Sequence, residues 1–235
     1  MALSAAAILV VLVLALAVLM IVTPSVGDAE VIARSQAVAH GAPFPGPPVP
    51  ARFAAALIAT EDHRFYGEPG IDPIAVGRVV LGWMTGGGDQ GGATLYQQLA
   101  KQLYTPGQGG PAVEAEQAAL AIKLKFGYSA AEILRMYSAV EYFGHGFYGL
   151  AQASCGYFGQ TPAGLTWAQG ALLAGLVQAP TAYDPLVHPH LARARQEHVV
   201  ARLVATGRLS AAQAAGVLAR PISRLVQDAG RNCRA

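Results

Sequence analysis

The chain has 235 residues, of which 53% are hydrophobic, and its formal net charge is +2. This length suits one domain of ordinary size behind a short anchor, and the abundance of alanine and leucine favours a mainly α fold. A charge so close to zero argues against nucleic acid as a partner, whereas it is compatible with an anionic ligand or a membrane surface.

The first predicted element is an apolar run at residues 3–22, in which Ser4 is the only polar side chain. About 20 apolar residues are enough for one helix to cross a bilayer. No lysine or arginine precedes the run, and no clear cleavage motif follows it, so the sequence favours an uncleaved anchor over a signal peptide. We therefore predict a transmembrane anchor at residues 1–23.

Prolines dominate residues 43–50, where they exclude a helix and predict a stiff, extended connection. We assign residues 24–50 to a proline-rich linker region, residues 51–220 to the domain, and residues 221–235 to a C-terminal tail. The first domain helix is predicted over residues 52–61. A second helix is predicted to start at Asp72-Pro73 and to run toward Met84.

The rest of the domain is predicted as helices, because we find no alternation typical of strands. Glycine-rich loops at residues 86–92 and 105–111 flank a helix at 93–104 and precede another at 114–126, which is predicted to end at Gly127. Further helices are predicted at 167–178 and 188–206. Three capping boxes are predicted to open helices, namely Ser129 with Glu132, Thr166 with Gln169 and Ser210 with Gln213.

Polar residues that could carry chemistry lie around the loop at residues 86–92. The first domain helix ends on Glu61, and Thr94, Gln97, Gln98 and Lys101 follow the loop at spacings of three and four, so they share one helix face. A carboxylate, amides and a cation suit a reaction in which a base takes a proton while an anionic leaving group is held. The alternative is a solvated helix end followed by an exposed polar face.

The two cysteines do not have the spacing of a metal site. We interpret Cys155 as a small helix-packing residue and Cys233 as a thiol in the tail. A disulfide between them is an alternative that the sequence leaves open.

Short motifs follow one another between residues 52 and 216. They are Glu61-Asp62-x-x-Phe65 with Gly70, Gly92-x-Thr94-x-x-Gln97-Gln98-x-x-Lys101, Glu132 to Tyr137, Tyr142-Phe143-Gly144-x-Gly146-x-Tyr148-Gly149, Tyr157-Phe158-Gly159, and Leu172 to Pro180. In this order and spacing the chain resembles the peptidoglycan glycosyltransferases, glycosyltransferase family 51. The resemblance implies a lysozyme-like glycosyltransferase domain behind one N-terminal transmembrane helix.

The resemblance also implies a reaction. The family polymerises lipid II, a disaccharide-peptide on a polyprenyl pyrophosphate, into glycan strands, with inversion at the anomeric carbon and release of the polyprenyl pyrophosphate. Glu61 would be the catalytic base. Lys101 would face the pyrophosphate, and Thr94, Gln97 and Gln98 would bind and position the substrate.

Other positions match the family only in part. Arg195 matches the first arginine of the family's last motif, where it would face the pyrophosphate; a surface arginine is the equally weighted alternative, and Gln196 replaces the usual second arginine. Val113 and Glu114 stand where the family has two cations, and Gln117 stands at the position of its second acid. Each lost charge-assisted contact could cost about 1.5–3 kcal/mol of leaving-group stabilisation.

Three functions are therefore weighed. The first is a monofunctional, membrane-anchored peptidoglycan glycosyltransferase, because a transpeptidase domain does not fit into this length. The second, favoured by Gln117, Val113 and Glu114, is a catalytically weak or inactive relative that binds lipid-linked cell-wall precursors or cell-wall synthesis proteins. The third is a glycan-cleaving enzyme of lysozyme-like fold, which the polar face at residues 94–101 disfavours.

The expected partners are lipid II, the growing glycan chain and membrane lipid, with other cell-wall synthesis proteins as an alternative. No protein metal site is predicted and no cofactor is required, although a divalent metal such as Mg²⁺ at the pyrophosphate stays open. The expected location is the cytoplasmic membrane, crossed once, with the catalytic domain outside the cytoplasm.

Overall fold

The computed structural model describes residues 2–74 and 92–222. These residues are mainly helical, which confirms the predicted class, and the one extended pairing among them is an isolated bridge between Tyr142 and Tyr148. The helices are α1 (Ala2–Val22), α2 (Ala29–Ala39), α3 (Ala51–Glu61), α4 (Leu95–Tyr104), α5 (Pro111–Gly127), α6 (Ala130–Val140), α7 (Gly149–Phe158), α8 (Trp167–Leu176), α9 (Pro189–Ala205) and α10 (Ala211–Leu218).

Most of the predicted helices are present, with shifted ends. Helix α5 begins at Pro111, three residues earlier than predicted, because proline is well accommodated at the first helical position. Gly127 is the last residue of that helix instead of the residue beyond it, and Tyr128 caps the end. Asp72 accepts a hydrogen bond from the backbone of Ile74, as expected at a helix start, and the predicted continuation toward residue 84 lies outside the described residues.

Two helices were not predicted. Helix α2 lies within the region assigned to the linker, and α7 follows the glycine-rich loop at Gly144–Gly146. The proline-rich segment itself, residues 43–50, contains no helix, as expected. Within the two described stretches, no helix has both the length and the apolar character that crossing a membrane requires.

The chain divides into two compact units. The first unit comprises Met1–Glu30 and Tyr66–Ile133, and the second comprises Val31–Phe65 and Leu134–Ala235.

Cys155, in the second unit, is disulfide-bonded, so its interpretation as a simple packing residue was wrong. Cys233, the other cysteine of the sequence, lies outside the described residues.

The first unit is built on the packing of α4 against α5, and α1 also contacts α5. Leu99 and Leu120 are among its fully buried residues. The backbone at Gly70 lies very close to α5. Its φ is +95°, and a Cβ there would lie 2.5 Å from the Ala121 carbonyl oxygen. Lys123 donates to the Thr23 carbonyl at 2.7 Å, where a cation suits the C-terminal end of α1.

The second unit is built on three helices that pack against one another, α3, α8 and α9. Helix α8 is buried along nearly its whole length, from Ala168 to Leu176, which is typical of a helix that is apolar on every side. Gly170 lets α3 approach α8, because a Cβ there would lie 3.3 Å from the Phe53 nitrogen. This three-helix arrangement positions the end of α3 and the middle of α9.

Candidate active site

Glu61 is the last residue of α3, and it lies on the face of that helix that packs inward. Phe53 and Leu57 precede it at intervals of four residues and are fully buried, and residues four apart share a helix face. Only 13% of the Glu61 side chain is exposed, and the adjacent Asp62 is buried. The alternative of a solvated helix end is therefore wrong.

Arg195, near the middle of α9, forms an ion pair with Glu61. Its Nη2 donates to Glu61 Oε1 at 2.8 Å, and its Nε donates to the Gly175 carbonyl at 3.2 Å. The Arg195 side chain is 11% exposed, and its guanidinium carbon lies 5.9 Å from the centre of the Tyr183 ring. The surface-arginine alternative is therefore wrong, and the guanidinium is directed at the predicted base.

Gly175 on α8 makes room for this arginine. A Cβ at Gly175 would lie 2.9 Å from Arg195 Cγ, closer than van der Waals contact between carbon atoms allows. The absence of a side chain at one position of an otherwise apolar helix thus permits the Arg195 side chain to lie along α8 and reach Glu61.

Helix α9 brings further cationic and titratable groups to the end of α3. Arg202 Nε donates to the Ala59 carbonyl at 3.1 Å, where positive charge offsets the negative end of the helix dipole. Burial lowers the pKa of His198, and the charges of Arg195 and Arg202 lower it further. Near neutral pH, the positive charge of this region therefore comes from the two arginines.

The predicted site residues divide between the two units. Glu61 and Arg195 belong to the second unit, whereas the polar residues of α4 and α5 belong to the first. Those first-unit residues are Thr94, Gln97, Gln98, Lys101 and Gln117.

Thr94 is the N-cap of α4, so the helix starts two residues later than predicted. Its hydroxyl accepts from the Gln97 backbone at 3.1 Å, and Gln97 Oε1 accepts from the Thr94 backbone at 3.1 Å, which completes a capping box. The Thr94 hydroxyl also donates to the Gly70 carbonyl at 2.7 Å. Thr94 and Gln97 thus define the start of α4, and their contact with substrate stays a prediction.

Gln98 and Lys101 are more accessible than Thr94. Gln98 Nε2 donates to the Ala93 carbonyl at 3.2 Å. Lys101 is exposed, and its ammonium group has neither a hydrogen bond nor an ion pair with any residue in the described part of the chain. A flexible ammonium group in this state is available to an anionic ligand.

Gln117 occupies the position of the family's second acid, and it is buried. Its Nε2 donates to Thr105 Oγ1 at 2.8 Å, which links α5 to the residue that caps the end of α4. The neighbouring Glu114 is exposed. The amide therefore has a structural contact where the family's pattern has a carboxylate.

Gln196, which replaces the second arginine of the last motif, is fully buried. Its Nε2 donates to the Ala168 carbonyl at 2.7 Å, and Arg193 Nη1 donates to its Oε1 at 3.1 Å. This amide ties α9 to α8, on which Gly175 also lies. The departure from the family pattern thus supports the helix pair that carries Arg195.

Sequence reasoning missed a further buried acid in this unit, Glu141. Glu141 is 6% exposed and Tyr137 is fully buried; the Tyr137 hydroxyl is hydrogen-bonded to Glu141 and is subject to the charge of Glu61. The available signal was a single carboxylate in the otherwise uncharged stretch between Ser138 and Gly144. Across residues 2–74 and 92–222, no group of three or more histidine, cysteine and acidic side chains could hold a metal ion.

Comparison with known protein families shows to which family this chain belongs. The model of the family described as Transglycosylase matches residues 28–204, which is more than half of the chain. This chain belongs to the transglycosylase family. The resemblance drawn from its motifs is thereby confirmed, and with it the prediction of an enzyme family; the match starts within the region predicted as linker.

Individual relatives of this transglycosylase show the same relationship. Penicillin-binding protein 1F of Bacillus subtilis is 37% identical over 167 residues, which are 71% of this chain and 23% of that protein. A protein named as a transglycosylase in Cupriavidus necator is 34% identical over 174 residues, which are 74% of this chain and 75% of that protein. This chain thus spans about a quarter of the Bacillus penicillin-binding protein.

Among solved structures, penicillin-binding protein 1A of Haemophilus influenzae is similar over 60% of this chain and 17% of its own. The sequence identity is 25% and the TM-score is 0.40.

Proposed function

We propose that this transglycosylase polymerises lipid II into glycan strands. The acceptor sugar hydroxyl attacks the anomeric carbon of the lipid-linked chain, forming the new glycosidic bond as the bond to the pyrophosphate breaks. Glu61 takes the hydroxyl proton, and the polyprenyl pyrophosphate leaves with its negative charge, so the anomeric carbon is inverted. The observation that carries the proposal is a shielded carboxylate at the first family motif, paired with Arg195.

The side chains have distinct roles in this proposal. Arg195 orients the Glu61 carboxylate through one charge-assisted hydrogen bond of 2.8 Å, which fixes the base before the substrate arrives. Lys101 supplies positive charge to the pyrophosphate, and Gln98 supplies an amide to phosphate or sugar oxygens. Thr94 and Gln97 act by fixing the start of the helix that carries both residues.

We also propose that residues 3–22 anchor the protein in the cytoplasmic membrane with the domain on the outer side. The support is the length and apolarity of this run in the sequence. The disulfide at Cys155 adds to it, because disulfides persist in oxidising compartments. Lipid II, the growing glycan and membrane lipid are the partners in this proposal, and the domain is lysozyme-like.

The test is polymerisation of lipid II by the full-length protein in detergent, with wild type and Glu61→Gln compared. Glutamine keeps the size of the side chain and can still accept a hydrogen bond, but it cannot take the proton. We expect turnover to fall by about 10²- to 10⁴-fold, while lipid II binding persists. A variant that retains most of the wild-type rate would show that another group is the base.

A second function is favoured by one observation. Gln117 stands at the position of the family's second acid, and its amide donates a hydrogen bond to Thr105. A neutral side chain with a structural contact at this position is expected of a relative that binds lipid-linked precursors or cell-wall synthesis proteins with little or no turnover. Lipid II binding without detectable polymer from wild-type protein would favour this function over the first.

A further inference from the structure

An aromatic ring lies beside the guanidinium of Arg195. Arg195 donates from Nη2 to Glu61 at 2.8 Å and from Nε to the Gly175 carbonyl at 3.2 Å. Both hydrogen bonds lie in the plane of the guanidinium, so neither protects its faces from water. The guanidinium carbon lies over the Tyr183 ring, 5.9 Å from the ring centre, which is within the range of a cation–π contact.

The ring is the part of Tyr183 that acts on this ion pair. Tyr183 is partly buried, and its hydroxyl makes no hydrogen bond with any residue that the structure describes. Its ring occupies space beside the cation that water would otherwise fill. Excluding water strengthens the electrostatic interaction between Arg195 and Glu61, because the local dielectric constant falls.

The segment that carries Tyr183 is held by its own hydrogen bonds. The Tyr183 backbone N–H donates to the Ala179 carbonyl at 2.9 Å. The next residue, Asp184, is 5% exposed; its Oδ1 accepts from the Leu186 backbone at 2.9 Å, and its carbonyl accepts from the His188 backbone at 2.7 Å. Asp184 thus shapes the turn that leads from Tyr183 into α9.

The other carboxylate oxygen of Asp184 contacts a second loop. Asp184 Oδ2 lies 3.2 Å from His145 Nδ1, and Nδ1 is the donor because a carboxylate only accepts hydrogen bonds. The two loops also meet at Gly144, whose φ is +84° and where a Cβ would lie 2.6 Å from the Pro180 carbonyl oxygen. The segment with Tyr183 is therefore held against the loop of Gly144 both before and after the tyrosine.

His145 adopts an unfavourable backbone conformation at this contact. Its φ is +52°, and within residues 2–74 and 92–222 it is the one residue other than glycine with a positive φ. Such a conformation persists where surrounding contacts require it, and it often marks a position that matters for function. Hydrogen bonds of 2.9 Å from Phe147 to the Gly144 carbonyl and from Phe143 to the Phe147 carbonyl close this loop, which directs the imidazole at Asp184.

We propose that Tyr183 is a positioning residue for Arg195, and that the contact between Asp184 and His145 holds Tyr183 in place. The catalytic meaning of this arrangement rests on the proposed role of Glu61 as the base, which Arg195 orients. The ring keeps water away from the pair, so the guanidinium keeps one orientation and the carboxylate stays where the acceptor hydroxyl needs it. Tyr183, Asp184 and His145 act in this way without touching the substrate.

The experiment observes Arg195 directly, without relying on activity. Full-length protein with ¹⁵N-labelled arginine is studied by NMR in detergent, and the Arg195 Nε–H signal is assigned by its loss in Arg195→Lys. Tyr183→Leu keeps an apolar side chain but removes the ring, so we expect this proton to exchange with water about 2- to 30-fold faster, the equivalent of one cation–π contact. Tyr183→Phe keeps the ring and should exchange at the wild-type rate.

Two substitutions of His145 test the contact with Asp184. His145→Gly fits the positive φ and removes the imidazole, so the Arg195 proton should exchange faster, as in Tyr183→Leu. His145→Asn also tolerates this φ. Its amide nitrogen is attached to Cγ, as Nδ1 is in histidine, and it can still donate to Asp184. We therefore expect His145→Asn to retain the wild-type exchange rate.

Arg202 provides the matched control signal in the same spectra. It lies on α9 with Arg195, and its Nε donates to the Ala59 carbonyl at 3.1 Å. Its signal is assigned by its loss in Arg202→Lys. A general loosening of α9 would speed exchange at both arginines, whereas loss of the Tyr183 ring should speed it at Arg195 alone.

The same variants are then compared in lipid II polymerisation. Tyr183→Leu and His145→Gly should lower kcat by about 2- to 30-fold with little change in KM, because a displaced base affects turnover more than binding. Tyr183→Phe and His145→Asn should retain the wild-type kcat. A purely structural role would not be rescued by the ring or by the amide donor alone.

The outcomes separate this inference from the proposed function. A folded Tyr183→Leu with unchanged exchange at Arg195, or with equal increases at Arg195 and Arg202, overturns the inference and leaves the proposed function standing. A His145→Gly protein with unchanged exchange at Arg195 overturns the role of the Asp184 contact. An inert wild type in which Arg195 still responds to Tyr183→Leu supports the positioning role while it removes the proposed function.

Discussion

Substitution of Gly175 by alanine tests whether the Arg195–Glu61 pair depends on the close approach of α8 and α9. The new Cβ would lie 2.9 Å from Arg195 Cγ and 3.5 Å from Val199 Cγ2. The first of these atoms is near the root of the arginine side chain, so the crowding cannot be relieved by moving only the guanidinium. Either α9 shifts or Arg195 leaves its present rotamer, and both changes lengthen the 2.8 Å contact with Glu61.

The magnitude follows from two opposing effects. Replacing a glycine inside a helix with alanine normally stabilises it by about 0.8–1 kcal/mol. Overpacking a buried helix contact costs about 1–3 kcal/mol, and weakening a hydrogen bond between charged groups costs about 1.5–3 kcal/mol. We therefore expect a net loss of about 1.5–5 kcal/mol in the free energy of unfolding, or about 3–20 °C in Tm for a domain of this size.

Gly216→Ala is the matched control, because Gly216 also lies in a helix, α10, and a Cβ there meets nothing within 4 Å. Thermal unfolding of the two variants and wild type, followed by circular dichroism in detergent, should show Gly175→Ala below wild type and Gly216→Ala at or above it. Lipid II polymerisation should fall only in Gly175→Ala, since a displaced Arg195 no longer orients Glu61. A Gly175→Ala protein as stable and active as wild type would refute the reasoning.

Two further predictions concern the first unit. Lys101→Gln should lower kcat/KM for lipid II by about 10- to 150-fold, which is the equivalent of a charge-assisted contact of about 1.5–3 kcal/mol. Lys101→Arg keeps the positive charge and should retain most of the wild-type kcat/KM. Equal losses in both variants would show that this position does not act through its charge. Gln117→Glu alone should change the rate little, while the triple variant Val113→Arg, Glu114→Lys, Gln117→Glu should raise it tenfold for each ~1.4 kcal/mol of leaving-group stabilisation regained. If wild type is inert and a folded triple variant that binds lipid II also makes no polymer, the binding function becomes the better one.

Local signals in the sequence predicted local structure well. The capping boxes that open at Thr166 and Ser210 are both present, and Ser129 and Glu132 exchange the expected hydrogen bonds. The same pattern at Thr94 and Gln97 was interpreted as a ligand-binding face, although a threonine followed three residues later by glutamine is itself a capping-box signature. Spacing alone could not distinguish the two roles, because both place the side chains on the first turn of a helix.

Helix α7 was missed because its sequence argues against a helix by propensity. It begins at Gly149 and contains Gly156, and each glycine in a helix interior costs about 0.8–1 kcal/mol relative to alanine. Tertiary packing overrides this cost, since a Cβ at Gly156 would overlap the Phe147 ring. A glycine that looks like a helix breaker in the sequence is thus a site of close packing.

The ion pair at the site had no local signal at all. Glu61 and Arg195 are 134 residues apart, and each was predicted from its own motif for a different role, one as the base and the other at the pyrophosphate. What brings them together is the packing of α3, α8 and α9. Contacts of this kind depend on which small residues permit helices to approach, and that cannot be read from the charge pattern of any one helix.

The energetic cost of the second unit's interior favours an enzyme over an inert binding protein. Glu61 and Arg195 are largely withdrawn from solvent, and burying ionised groups carries a desolvation penalty of several kcal/mol per ion. Well-packed apolar replacements of such groups are often neutral or stabilising by about 1–4 kcal/mol. A fold kept only for binding through the exposed face of α4 gains nothing from these charges, whereas a base that must be oriented before the substrate arrives requires them.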